Sequence, residues 1–380
     1  MRTRGHGRSR ATLSGEGQAG DSVAVTAAAA PSLAHAVQTT VPAAGTRRRW
    51  LRQAGGAVAS LGAAGWLGAP TWARAQASGT AAGVANAAGA PTLVLGDQAG
   101  GLRALIEAAR ALEGAPFHWR WANFQGAAPL FEAHRSGAVD TAMAGDVPVL
   151  AAAVGKTPLK IVATRVGKPE SLGIVVQQDS ALRRVADLRG KTVIVSSARG
   201  SISQYQLYGA LEEAGVQRDE VTVKFVLPTD AAAAFISKQI DVWATFDPYY
   251  AVALQHGGRI LRDGRGINTA LGFITATEAA LADPEKRAAV VQFLSRLGRA
   301  GDWALANPEA YAQVYTQLTR LPIESSRIIT GRASLAVRPV TAADVAALQT
   351  VADRSARDGI LPVRVDVRAI TEARVWSGVG

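Results

Sequence analysis

From Pro91 onward the chain alternates short apolar, β-branched runs with stretches whose apolar residues return every three to four positions. The first pattern predicts strands and the second predicts amphipathic helices. Strands are expected at residues 92–96, 117–123, 140–144, 159–166 and 172–178, with helices between them at 101–113, 127–137 and 146–154. A second set follows: strands at 192–196, 221–226, 241–245 and 259–262, helices at 201–214, 229–238 and 248–256. Residues 269–277 read as one more strand, after which the chain is helical at 284–306, 308–318, 322–331 and 341–358. Asn307-Pro308 and Leu321-Pro322 mark the breaks in that tail. Strands alternating with helices imply parallel sheets with right-handed crossovers and a ligand at the carboxyl ends of the strands. Two such sets and a helical tail predict two α/β lobes, crossed by the chain near 177–180 and 266–270, with the tail packed back on the first lobe.

The stretch ahead of Pro91 has a different texture. Residues 1–45 are rich in Ala, Ser, Gly and Thr without apolar periodicity, the composition of a disordered segment. Thr46-Arg47-Arg48-Arg49-Trp50-Leu51-Arg52 is followed by a weakly apolar run to about Ala69 and by Ala73-Arg74-Ala75. This resembles a twin-arginine export signal with a small-residue cleavage site. Such signals begin nearer the N-terminus than residue 46, and Met143 is the only methionine besides Met1. The sequence therefore points to translation from a non-Met codon, such as that of Val37 or Val41. The expected division is 1–75 export leader, 76–90 linker, 91–178 first part of lobe 1, 179–268 lobe 2, and 269–380 the return strand and C-terminal helices.

Charge follows that division. The net charge of +11 resembles a nucleic-acid binder, but residues 1–75 hold nine Arg against two acids. What remains is close to balanced, with no basic run interleaved with aromatics, so no nucleic-acid partner is expected. There is no Cys, which excludes disulfides, thiolate metal sites and cysteine nucleophiles. Five scattered His without metal-ligand spacing make a metal centre or cofactor unexpected.

Four strand ends carry candidate chemistry. Gly96-Asp97-Gln98-Ala99-Gly100-Gly101 joins a strand to a helix, and such a turn aims unpaired amides and the positive end of a helix dipole at one spot. Gly145-Asp146-Val147-Pro148 repeats the arrangement, with Asp146 as helix cap. At Ser196-Ser197-Ala198-Arg199-Gly200-Ser201-Ile202-Ser203 a β-branched strand runs into hydroxyls at a helix start, good donors for an oxyanion. The lysine of a nucleotide-binding P-loop is missing there. Asp241-Val242-Trp243-Ala244-Thr245-Phe246-Asp247-Pro248 ends a strand in Asp-Pro, with aromatics suited to core or to a ligand's apolar part. Each stretch also has a purely structural reading as a turn, a cap or packed core. Asp97, Asp146 and Asp247 are the residues an enzyme on this scaffold would draw on for acid–base chemistry, but no nucleophile–base pair or cofactor fingerprint accompanies them.

Taken together these stretches resemble the aliphatic sulfonate-binding proteins of ABC importers. The likeness runs through Gly96–Gly101, Ala127–Ala133, Gly137–Asp140, Gly145–Pro148, Val185–Val193, Asp241–Tyr249 and Leu361–Asp366, in order, over about residues 91–376. It implies the type II periplasmic binding protein fold, two α/β lobes joined by two crossings and closing on an anionic solute. It implies a monomer that delivers its ligand to a membrane permease, with taurine, nitrate or a pyrimidine-type thiamine precursor as alternative ligands. A ligand-gated sensor domain is a further reading. The matching positions are Gln98, Gly100, Gly101, Asp146, Ser201, Ser203, Trp243 and Asp247, with Gln98 and the Ser201–Ser203 helix start implied to grip the sulfonate. The chain departs from the family pattern at Ala99, where Lys is frequent, at Leu271-Gly272-Phe273 and at Phe246, so one wall of the pocket is altered.

Overall fold

A computed structural model of the chain describes residues 89–333 and 336–376. The expected export leader of residues 1–75 and nearly all of the expected 76–90 linker lie outside the described residues. The first sheet holds β1 (Thr92–Gln98), β2 (His118–Phe124), β3 (Thr141–Gly145), β4 (Leu159–Val166), β10 (Leu271–Thr277) and β11 (Ala336–Arg338), in the order β11-β4-β10-β3-β1-β2. The second holds β5 (Leu172–Val176), β6 (Thr192–Val195), β7 (Thr222–Phe225), β8 (Val242–Phe246) and β9 (Arg259–Asp263), in the order β7-β6-β8-β5-β9.

Both sheets are mixed rather than wholly parallel. β1 pairs in parallel with β2 and β3, and β6 with β7 and β8, as strand–helix alternation requires. β10 runs against β3 and β4, and β5 runs against β8 and β9. The reason is topological. Each of these strands is the first met after the chain changes sheets, so it starts at the edge where its neighbours end. The second crossing spans residues 264–270, close to the expected place. The first lies at residues 167–171, not near 177–180: β5 hydrogen-bonds to β8, so residues 172–178 belong with the second sheet rather than with the expected 91–178 lobe. A fully apolar LGIVV strand reads alike in either sheet, and only its pairing decides.

Helices cover the sheets where their apolar faces demand it. α1 (Gly101–Ala108) buries Leu102, Ala104, Leu105 and Ile106 on the first sheet; it is shorter than the 101–113 expected, ending in a run of turns. Of the tail, α8 (Pro284–Ala306) and α9 (Pro308–Thr319) pack on α1, and α8 also meets β1 and β11. Phe293, Leu294, Leu297, Tyr311 and Tyr315 share one apolar cluster with Leu93, Leu95, Leu102 and Leu105. The tail does not pack on the first lobe alone. α10 (Ile323–Arg332) touches α6 (Tyr249–Gln255) of the second lobe, where Ser325 Oγ donates to Gln255 Oε1 at 2.8 Å. α11 (Ala342–Arg357) sits on α3 (Asp146–Val154) and is fixed by Asp344, which accepts from Thr164 Oγ1 and pairs with Arg338. β11 and the five-residue α7 (Glu278–Ala282) were not expected; both are too short to show a period.

Candidate ligand-binding site

The carboxyl ends of β1, β3, β6 and β8 open on one cavity of about 420 Å³, lined from both sheets, from both crossings and from α9 and α10. Its walls are mainly apolar with a few placed polar groups, the usual make-up of a small-molecule site. The lobes meet beside it. Thr229 Oγ1 donates to Gln125 Oε1 at 2.7 Å, and the Tyr249 hydroxyl donates to the Gln125 carbonyl at 2.9 Å. The Cα of Gly145 has Ile202 Cδ1 so close that a Cβ there would lie 2.7 Å from it.

The four candidate turns contribute unequally. At the first, Gln98, Ala99 and Gly101 line the cavity and Gly100 does not. Gly100 is the cap of α1, with φ +79. Two amides of the first helical turn are already taken: Asp97 Oδ1 accepts from Leu102 N at 2.8 Å and from Arg103 N at 3.3 Å. Burial raises the Asp97 carboxyl to about 6, and those amides oppose the rise. Gln98 commits one amide hydrogen to the Met143 carbonyl at 2.5 Å, leaving its second hydrogen and its carbonyl for another group.

Asp146 does not line the cavity; it is buried beneath it. One oxygen accepts from Val147 N at 2.7 Å and the other from Thr269 Oγ1 at 2.6 Å, so Asp146 ties the second crossing to the start of α3. Burial pushes its carboxyl upward. Trp243 is also away from the cavity, in the core of the second lobe, where it packs on Phe235 and donates Nε1–H to Ser196 Oγ at 2.9 Å. Strand alternation explains this: Trp243 points to the face opposite its neighbours' ligand-side positions, whereas Phe246, at the strand end, lines the cavity.

The start of α4 (Ile202–Glu213) has free donors. Ser201 lines the cavity and caps the helix by accepting from Gln204 N at 3.2 Å, which leaves its own O–H to donate. Ser197 lines the cavity, and its Oγ has no hydrogen-bond partner among the described residues. Ser203 lies fully buried behind the helix start and does not reach the cavity. The hydroxyl pair facing the ligand space is therefore Ser197 and Ser201. Only the pitch of the turn separates Ser197 from Ser203, and composition cannot resolve it.

Asp247 lines the cavity, accepts from Ala251 N at 3.1 Å and lies 3.6 Å from Arg332 Nη1. Burial raises its carboxyl to about 7 against the pull of Arg332. The basic side chains on the wall are Arg165, Lys168, Arg199 and Arg332; the acidic ones are Glu132 and Asp247. Glu132 pairs with Arg135 and Asp247 with Arg332, so the cavity keeps an excess of positive charge. Arg165, Lys168, Arg199 and Arg332 were not singled out from the sequence. Lone basic residues in strands and loops carry no spacing signal.

This geometry is that of a type II periplasmic binding protein: two mixed sheets linked by paired crossings, with the solute space at their facing edges. Residues 126–311 match the sequence model of the family described as NMT1/THI5 like. A protein of Escherichia coli strain K12 described as an aliphatic sulfonates-binding protein is 30% identical over 259 residues, 67% of this chain and 78% of that protein. Among solved structures, the alkanesulfonate-binding protein SsuA from Xanthomonas axonopodis pv. citri bound to MOPS superposes with a TM-score of 0.69 at 28% identity, over 75% of this chain and 99% of that one. The periplasmic aliphatic sulphonate binding protein SsuA from E. coli gives a TM-score of 0.64 at 28% identity, over 73% of this chain and 91% of that one. The chain belongs to the family of aliphatic sulfonate-binding proteins.

Proposed function

We propose that this protein is the exported solute-binding component of an ABC importer and captures an aliphatic sulfonate between its lobes. The observation that carries the reading is the charge of the cavity wall, four basic side chains against two matched carboxylates, beside the unpartnered Ser197 hydroxyl and the Ser201 hydroxyl that keeps its hydrogen to donate. A sulfonate head placed there would meet the α4 amides, the Ser197 and Ser201 hydroxyls and the remaining amide hydrogen of Gln98. Gly101 would admit the head close to the backbone, Asp247 would face the rest of the ligand, and Gly100, Asp146, Ser203 and Trp243 would hold the turns in place. A ligand touching both lobes favours the closed arrangement by its differential contacts, and that closed form is what a membrane permease would read.

Relatives named as binding proteins and the lack of a nucleophile–base pair in the sequence support capture without catalysis. Periplasmic delivery through the twin-arginine route follows from Arg47-Arg48 and Ala73-Arg74-Ala75, and a monomer from the one-ligand clamp. Division into lobes at residues 167–171 and 264–270 fits the sheet membership. Thermal-shift screening of the full chain against alkanesulfonates, taurine, nitrate and pyrimidines tests the reading, since a bound solute raises the melting temperature with its concentration over Kd. Stabilisation by alkanesulfonates is expected. Stabilisation by pyrimidines with no response to any sulfonate would contradict it.

A further inference from the structure

Arg165 stands out among the basic residues on the cavity wall. Arg332 has Asp247 and the Tyr250 ring, Arg199 lies over the Phe225 ring, and Lys168 is exposed to solvent. Among the described residues Arg165 has no carboxylate partner and donates no side-chain hydrogen bond; the titratable group facing it is the Tyr311 hydroxyl of α9. The residue is half-buried, and a guanidinium partly withdrawn from water without an anion gives up hydration that no protein group replaces. Burial accordingly pulls its pKa below the usual arginine value.

Register shows where the side chain goes. Arg165 is paired with Gly272 of β10, and Gly272 with Gly145 of β3, so these three positions form a row across the cavity edge of the first sheet. Paired positions point to one face, and two of the three are bare. The Arg165 chain lies along that bare strip, its Cδ 3.7 Å from where a Cβ of Gly272 would be. Ile202, at the start of α4, covers the far end of the row at Gly145. Apolar side chains line the same cavity, among them Met143, Leu102, Leu105 and Leu297.

We propose that Arg165 is the charged seat for the ligand's anionic head, and that the adjoining apolar wall takes an apolar body larger than a two-carbon chain. This rests on the reading of the cavity as an anion trap and names the residue that supplies its charge. Five donors in a planar fork suit an oxyanion head, and a cavity of about 420 Å³ far exceeds what nitrate or methanesulfonate fills. The uncompensated charge is then a cost in the empty protein that the ligand repays.

The test is calorimetry and thermal melting of the full chain as wild type, Arg165→Met and Arg165→Lys, with methanesulfonate, hexanesulfonate, hexyl sulfate and heptanoate as probes. Hexanesulfonate should bind the wild type at least about 30-fold more tightly than methanesulfonate, since each buried methylene is worth up to about fourfold. Arg165→Met should weaken every probe that binds by roughly 10- to 150-fold, the value of charge-assisted hydrogen bonds. Arg165→Lys should recover part of that loss. The ligand-free melting temperature of Arg165→Met should equal or exceed that of wild type, because an unpaired and partly desolvated charge has been removed. A fall in that temperature, or failure of Arg165→Met to fold, would assign Arg165 a structural role and overturn the proposal. Wild-type binding with Arg165→Met unaffected overturns the proposal alone and leaves the anion trap standing. Equal affinity for methanesulfonate and hexanesulfonate overturns the apolar seat. A wild type that binds none of the four probes overturns the anion trap as well.

Discussion

Replacing Asp247 by Asn should flatten the fall in stability between mildly acid and neutral pH. The carboxyl is raised from 3.8 to about 7 because it is buried at the cavity wall, and its side chain is only 8% exposed. A raised acid holds its proton longer in the folded state than in the unfolded one. Its stabilising contribution is complete below pH 3.8 and is lost as pH rises through 7. Each pKa unit is worth about 1.4 kcal/mol, so between pH 5 and pH 8 this group alone should remove about 2.5 kcal/mol from the folded state. For a domain of this size that is a fall of roughly 5 °C in melting temperature. Asn keeps an acceptor for the Ala251 amide and has nothing to titrate. Asp97, raised to about 6, adds a similar but earlier loss that is common to both proteins and cancels in the comparison. The assay is melting by circular dichroism at half-unit steps from pH 5 to 8, wild type against Asp247→Asn. The variant should show the shallower fall, and its affinity for an alkanesulfonate should stay level where wild type strengthens as the carboxylate is protonated. Parallel stability curves would mean that the carboxylate is not desolvated and would refute the reasoning.

Three further outcomes follow from the same geometry. Ser197→Ala with Ser201→Ala should weaken alkanesulfonate binding by on the order of 1–3 kcal/mol in calorimetry, with about 1 kcal/mol of stability lost at the helix cap. Ser203→Ala should leave affinity unchanged, since that hydroxyl is buried without a partner away from the cavity. Gly200→Ala should lower both the melting temperature and the affinity: φ is +76, a Cβ would lie 2.8 Å from Ala151 Cβ of α3, and the left-handed conformation alone costs about 1–2 kcal/mol.

Much of this was legible in the sequence, and the particular misses have physical causes. Apolar periodicity located nearly every strand and long helix from Pro91 on, because lobes buried on both faces leave strong patterns. It could not place β5, whose five apolar residues suit either sheet, nor β11, three residues long. The strand-end motifs located the four turns that line the cavity, but not which side chain in each turn points inward. Asp146 and Trp243 are built into the support of the site, and Ser197 faces the cavity where Ser203 does not. Asp97 shows a further limit: a turn whose glycines suggest free amides is partly satisfied by its own carboxylate. Arg165 was invisible because its role depends on the absence of a partner, which is a property of the packed chain. Register against Gly272, not local sequence, gives it open space.

The most direct measurement is a crystal structure of the protein with hexanesulfonate, read at the sulfonate oxygens. The account predicts them between the two sheets, within hydrogen-bonding distance of the α4 start and the Arg165 guanidinium, with the alkyl chain against Met143 and Leu102. A sulfonate bound outside that cavity, or within it but turned with its head toward the apolar wall, would contradict it.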